Sequence, residues 1–464
     1  MLGKNRFASS CWVSFALLVL VCPVSGCNRA SQTVEQTVEQ TAGGTSESTN
    51  DRSVGIVPPA EGQAIVLRER SAKLDASNRD ETDLQTQQNA LTEFSTDDLA
   101  SLVRTIDSKT TNSNAKRQAA IQLANHLDDY EQFVVPLSHL MLENDRELMR
   151  VANRIFMKLG VKSLAALEDQ LDIDTNVNHF SQYCSVINAI GDPCVTAKQR
   201  LVDVLSTETS DPEKLNPKRI AATYGLTGFS DGSAAAIPHI MADLKHNDMN
   251  VTLFACRLII KTGSQAEAVV PSLNELVENG VLSQRSFAVW ALASIGETAE
   301  FDPLPVVQKS LSAFNVVERE RALIASGLLG ERSKMMEPKV REWMNAFDSN
   351  LEGQAAVTLW QITGESDEAL EHLVKLSRDS VEFELNGLLL IEQLGKEAAP
   401  ALDFLWERTK HANLSIRLAA FDAIAAIGPA AAPVADKIRE LQNQSTVDPL
   451  TRMVAGQVLQ KISE

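Results

Sequence analysis

Positive charge is scarce in this sequence. Its 464 residues carry 43 Lys and Arg against 61 Asp and Glu, a formal net charge of -18. A chain this acidic repels phosphate backbones, so nucleic acid is not an expected partner. Charge alone does not hold it to anionic lipid either. Aromatic residues make up only 5%, few for a surface that stacks bases. No stretch alternates with period two, which argues against strands. Walker A, HExxH and GxGxxG are all missing, and so is any Cys-x-x-Cys pair that would point to zinc or redox work. None of the 7 histidines is followed by Glu, and no two stand four apart. No cofactor is expected, and the chain reads as non-catalytic.

What is present begins with an address. Lys4 and Arg6 precede "CWVSFALLVLVC" (11–22), an apolar core too short to span a bilayer comfortably. This is the layout of a secretory signal. The run then ends in "VSGC" (24–27), which resembles the lipobox of bacterial lipoproteins. The resemblance implies cleavage before Cys27, a lipid on Cys27, and a membrane-anchored protein of the bacterial envelope. Asn28 is not the aspartate that often retains lipoproteins at the inner membrane, so an outer-membrane address is permitted. Removing Cys11 and Cys22 and lipidating Cys27 leaves Cys184, Cys194 and Cys256 of the 6 cysteines. These read as small buried apolar residues, with room for one bond among them.

From 28 to about 90 the composition changes to Thr, Ser, Gln and Glu, with a tandem "TVEQTVEQ" and few large apolar side chains. Such a segment buries too little surface to offset its ordering entropy and reads as a tether. Its r.m.s. reach is roughly 40–45 Å.

Residues 91–464 hold a repeat. With Gly428 as anchor, equivalents fall at Asp128, Gly160, Gly191, Ser230, Gly263, Gly296, Gly330, Gly364, Gly395 and Ser463, spaced 31 to 39 residues apart. The long interval contains "STETSDPEKLNPK" (206–218), a polar loop. Eight before the anchors stand Ala120, Ala152, Tyr183, Ala222, Ala255, Ala288, Ala322, Ala356, Gly387, Ala420 and Ala455. Apolar residues dominate four and one before. Positions -8, -5, -4 and -1 share one helical face. The anchor glycine is expected to stop that helix in a left-handed cap. A second helix follows, often opened by proline, as at Pro238, Pro271, Pro338, Pro400 and Pro433. The final helix, with Gln460, Lys461 and Glu464, is expected to present an exposed capping face. A helix over 95–108 is expected to cap the front.

"IRLAAFDAIAAIG" (416–428), "RSFAVWALASIG" (285–296) and "RERALIASGLLG" (319–330) resemble the first helix of HEAT-like repeats of the short phycobilisome-lyase type. The family's arginine falls eleven before the anchor at Arg117, Arg219, Arg285, Arg319, Arg417 and Arg452. The resemblance implies an all-α fold, an α-α superhelix of about eleven helix pairs, right-handed, with a contour of roughly 90–110 Å. It also implies that second helices line the concave side. Trp343 and Trp406, in second helices, are then possible partner contacts, while Trp290 and Trp360 read as core. The arginine column reads as structural, bonding neighbouring repeats.

Two motifs invite chemistry. "GFSDG" (228–232) matches the G-x-S-x-G elbow of serine hydrolases, which needs a strand before Ser230. "DIDTNVN" (172–178) places Asp172, Asp174 and Asn176 with calcium-loop spacing, but Val177 and Tyr183 occupy the places of the required Gly and Glu. Some HEAT-like proteins, the deoxyhypusine hydroxylases, bind iron through His-Glu dipeptides, which this sequence lacks. No residue supports bilin-lyase activity. The expectation is a lipid-anchored scaffold holding a protein on its concave face, the overall acidity favouring a basic or mixed-charge partner. The alternatives are an enzyme at Ser230 or of the bilin-lyase kind, and a passive envelope spacer.

Overall fold

The computed structural model describes residues 98–463 apart from 144, 299 and 347. The segment read as a secretory signal, with Cys27, and the segment read as a tether lie outside the described residues. From Leu102 onward the chain forms one compact unit.

Helix α1 (Leu99–Asp107) leads into helical hairpins. These are α2 (Ser113–Gln122) with α3 (Val134–Leu140), α4 (Arg146–Leu159) with α5 (Lys162–Gln170), and α6 (Val177–Ile190) with α7 (Val195–Thr207). Then come α8 (Pro217–Leu226) with α9 (Ile237–Ile240), α10 (Met249–Thr262) with α11 (Val270–Asn279), and α12 (Leu282–Ile295) with α13 (Leu304–Leu311). The series continues as α14 (Val316–Leu329) with α15 (Glu337–Trp343), α16 (Ser349–Thr363) with α17 (Ser366–Asp379), α18 (Val381–Gln393) with α19 (Leu402–Arg408), and α20 (Leu414–Ile427) with α21 (Ala435–Gln442). Helix α22 (Pro449–Ser463) stands alone. The fold is an α-α superhelix of repeated helical hairpins.

Each unit has a sequence-encoded start and stop. Asp145, Asn176, Asp248, Asn315, Asp348 and Asn413 accept hydrogen bonds from the first free N–H groups of their helices, which would otherwise be orphaned. At the other end stand the anchor glycines, and here the expected cap needs correcting. Gly364 is left-handed in the usual sense, with φ 79° and ψ -1°. Gly296 has φ 82° and ψ -162°, and Gly428 has φ 68° and ψ -140°. That region is open essentially to glycine only. After Gly263, Gly330, Gly395 and Gly428 the chain enters a 3-10 turn before the second helix begins, whereas among the described residues none follows Gly296 or Gly364. In the fourth unit Ser230 does not take this role, and Gly232 carries the positive φ of 55°.

The small-residue column is the contact line. Ala152, Ala255, Ala288, Ala356 and Ala420 are all fully buried. At Gly387 even a β-carbon would lie 2.0 Å from the Ser377 hydroxyl oxygen. Tyr183, the exception, is buried with its hydroxyl donating to Glu168.

Two observations place the first helices on the inside of the curve. Successive first helices pack closely along one another, whereas successive second helices touch far less. Moreover Arg154 on α4 is ion-paired with Asp422 on α20, a contact between distant first helices that an inward-facing row permits. The expectation that second helices line the concave side is therefore corrected. The ends are not free either. Helix α22 packs against α2 and the turn Leu123–Asn125, and Arg452 donates to the Asn125 side-chain oxygen at 3.4 Å. Gln460 and Lys461 are exposed as expected, but α22 is a closing helix rather than a bare cap.

Candidate functional site

The arginine column holds the units together. Arg219 is buried and donates to the carbonyls of Leu205, Glu208 and His239 and to Asp243 at 2.6 to 2.8 Å. Arg285 reaches Glu318 of the next unit at 3.4 Å, and Arg417 reaches Asp448 at 3.0 Å. Each anchors a carboxylate one unit on and a carbonyl just before its own helix. The last member, Arg452, turns to the first unit.

The residues singled out for chemistry are occupied locally. Asn176 caps α6, Asp174 pairs with Arg200 at 2.5 Å, and Asp172 accepts from the Thr175 N–H and hydroxyl. The Thr175 bonds hold the Asp172 carboxyl below its ordinary value. The loop is thus an ordinary helix-entry turn, and among the described residues no group of three or more His, Cys, Asp or Glu could hold a metal ion. Ser230 is exposed and its N–H donates to Asp192 at 2.8 Å. Helix α8, not a strand, precedes it, so the elbow geometry is missing. A small crevice lies beside the 206–218 loop, lined by Asn216, Arg219, Asp243 and His246. There Arg219 and the Ser210 hydroxyl both donate to Asp243. Cys184, Cys194 and Cys256 are free and buried. Burial pushes the Cys194 thiol up to about 11 and the Cys256 thiol to about 12.

Trp343 and Trp406 are half-buried on the outer row. The Arg319 guanidinium lies 4.3 Å and the Lys339 ammonium 4.7 Å from the Trp343 ring centroid, and Lys410 lies 4.9 Å from that of Trp406. Their faces are covered by cations of this chain, so neither occupies the concave position expected of it.

A different cluster sits on the inner row. Tyr224 on α8 meets Phe254 on α10 edge to face, with centroids 5.7 Å apart. Phe287 and Trp290 stack on α12 at 5.8 Å. Between them lie guanidinium groups: Arg257 on α10 against Phe254 and Phe287, and Arg321 on α14 against Phe287 and Trp290, at 5.1 to 5.7 Å. Burial, first, and the neighbouring charge of Arg321 push Arg257 down to about 10, Tyr224 acting the other way. Burial likewise lowers Arg321, against the opposing pull of Glu320. Lys261, one turn beyond Arg257, is pushed down by burial to about 8, against the pull of Asp192. This inner patch, in an acidic chain, is rich in cations and aromatic rings.

Sequence reasoning passed over this cluster. Arg154, Tyr224, Arg257, Trp290 and Asp422 all stand six before an anchor, a column whose mixed chemistry contrasts with the alanines two positions earlier. Reading the columns for variety as well as uniformity would have found it. Trp290 is buried as expected, but within this patch, and Trp360 is half-buried.

Compared with known proteins, the chain matches no family and no curated protein. Among solved structures it is similar to an engineered protein at 16% identity and a TM-score of 0.33, covering 80% of this chain and 99% of the other. It is similar as well to a chain of a Kap95:Nup1 complex at 13% identity and a TM-score of 0.35. That match covers 88% of this chain and 66% of the other, just under two thirds of its length.

Proposed function

We propose that the protein is a lipid-anchored scaffold of the bacterial envelope whose HEAT-like solenoid holds a protein partner on its inner face, with no catalysis of its own. The observation that carries the binding part is the inner patch in which the half-buried Tyr224, Phe254, Arg257 and Arg321 lie over the buried Phe287 and Trp290. Arginine and aromatic residues are the types enriched at protein–protein hot spots. The anchoring part rests on "VSGC" and the basic, then apolar, segment before it. A likeness to phycobilisome-lyase-type repeats belongs to the architecture of the first helices and brings no lyase residue with it.

Crosslinking in intact envelopes followed by mass spectrometry tests the scaffold reading, which requires a reproducible protein partner. Recovery of none favours a passive spacer. Radiolabelled palmitate should enter the wild type and not a Cys27→Ala variant; equal labelling of the two contradicts the anchor.

A further inference from the structure

We infer that the starts of α12 and α14 form a membrane-contacting edge, whose two apolar tips enter the interface of a bilayer with neutral headgroups. The inference rests on the lipid-anchor reading above and names a second contact with the same membrane.

The two tips are built unlike their counterparts. Six first helices, α14 among them, open on an Asp or Asn that caps them. Helix α12 opens instead on Val281, which has no side-chain acceptor and is 56% exposed. Valine there forfeits the stabilising cap and leaves apolar surface in water. Just ahead of α14 stands Phe314, wholly exposed, with the exposed Val316 and Val317 behind it. Both turns also lack charge. Residues 279–284 and 310–317 hold no charged side chain, whereas the turns before α10, α16 and α18 hold Asp248, Asp348 and Asp379.

The tips are held in place. Arg285 donates to the Gly280 carbonyl at 3.1 Å, and Arg319 donates to that of Phe314 at 3.2 Å. Arg285 also reaches Glu318 at the start of the next first helix, and α12 packs closely along α14. Two neighbouring tips fixed on one edge lose little freedom on docking.

A bilayer is the occupant that this edge fits. A side chain as exposed as Phe314 stands out from the surface and offers no groove, so it is the inserting member. Turns without charge have little to desolvate at a neutral interface, and a chain carrying -18 gains nothing from anionic headgroups. The segment between Cys27 and the fold, with an r.m.s. reach of roughly 40–45 Å, keeps the bilayer at high effective concentration. Two small apolar contacts then suffice.

The test uses the full-length lipidated protein in phosphatidylcholine vesicles. Cys184, Cys194 and Cys256 are buried, so an added surface cysteine takes an environment-sensitive nitrobenzoxadiazole label selectively. The label is placed at Ser312→Cys, beside Phe314, or at Met335→Cys, beyond the far end of α14, both exposed. Emission from 312 should shift to the blue and be quenched by spin-labelled phosphatidylcholine, and emission from 335 should not. Phe314→Ser should abolish the shift. Val281→Asp should weaken it while raising the melting transition, because it gives α12 the cap it lacks. An unquenched label at 312, or equal quenching at 312 and 335, overturns the inference whatever the variants do. So does a shift that survives Val281→Asp/Phe314→Ser, or one that appears only with anionic phosphatidylglycerol. A discrete protein adduct from a photo-crosslinker at 312 in envelopes, in place of lipid, would assign the tips to a partner protein and also overturn it. If the protein floats with the vesicles while 312 stays unquenched, the edge falls and the anchor stands. Failure to float takes the anchor, and this inference with it.

Discussion

Arg154 on α4 and Asp422 on α20 are ion-paired although 268 positions separate them in the sequence. Their side chains are only 18% and 16% exposed, so the pair is partly withdrawn from water. Asp422 also steadies Arg150, which burial drives below its ordinary value. A single carboxylate thus serves two arginines from the opposite end of the array.

Asp422→Arg should loosen this closure. Small-angle scattering should show a larger radius of gyration with helix content unchanged, and stability should fall by about 1–3 kcal/mol. Arg154→Asp combined with Asp422→Arg should restore the compact form. An unchanged radius in the single variant would assign closure to the packing of α22 on α2 instead.

The anchor glycines divide by ψ, and asparagine reads the difference. Asparagine tolerates the left-handed region that Gly364 occupies, with ψ -1°, but not the region of Gly296, with ψ -162°. Neither site has an atom within 4 Å of an added β-carbon, so the backbone alone decides. Gly296→Asn should lower stability by about 1–3 kcal/mol, and Gly364→Asn by clearly less, in chemical denaturation. Equal losses would contradict the assignment.

Ala420 is fully buried where α20 meets its neighbours. Ala420→Leu should overpack this line at a cost of about 1–3 kcal/mol, read as a lower melting transition. An unshifted transition would mean that the helices separate freely here.

Lys261 supplies a pH test. Its folded pKa of about 8 lies below the ordinary 10.5. Between those values the unfolded chain binds more protons, so this group makes stability rise with pH there. Below about pH 8 its burial is a standing cost. Lys261→Met should raise the unfolding midpoint at pH 7 and flatten the wild-type rise between pH 8 and 10.5. A variant that tracks the wild type across that window would refute the burial argument.

The repeat was legible because its causes are local. Alanine at -8, an apolar residue at -1 and glycine at the anchor are each required within one unit, and all reappear as contact line, core and turn. The sign of φ at Gly296 was legible too, but ψ was not, because it depends on the path the chain takes once the helix has stopped. Which row faces inward was missed, since both helices of a hairpin are amphipathic and the family likeness pointed the wrong way. The buried alanines already held the answer: the row that approaches most closely lies on the inside. The meeting of Arg452 with Asn125 could not be read at all, because it depends on small rotations accumulated over the whole array.

The central claim is that the partner sits on the inner row. A photo-crosslinking phenylalanine analogue placed at Tyr224, on the inner row, or at Trp406, on the outer row, tests it in intact envelopes. The account predicts a discrete partner adduct from position 224 and none from 406. An adduct from 406 with none from 224 would contradict it.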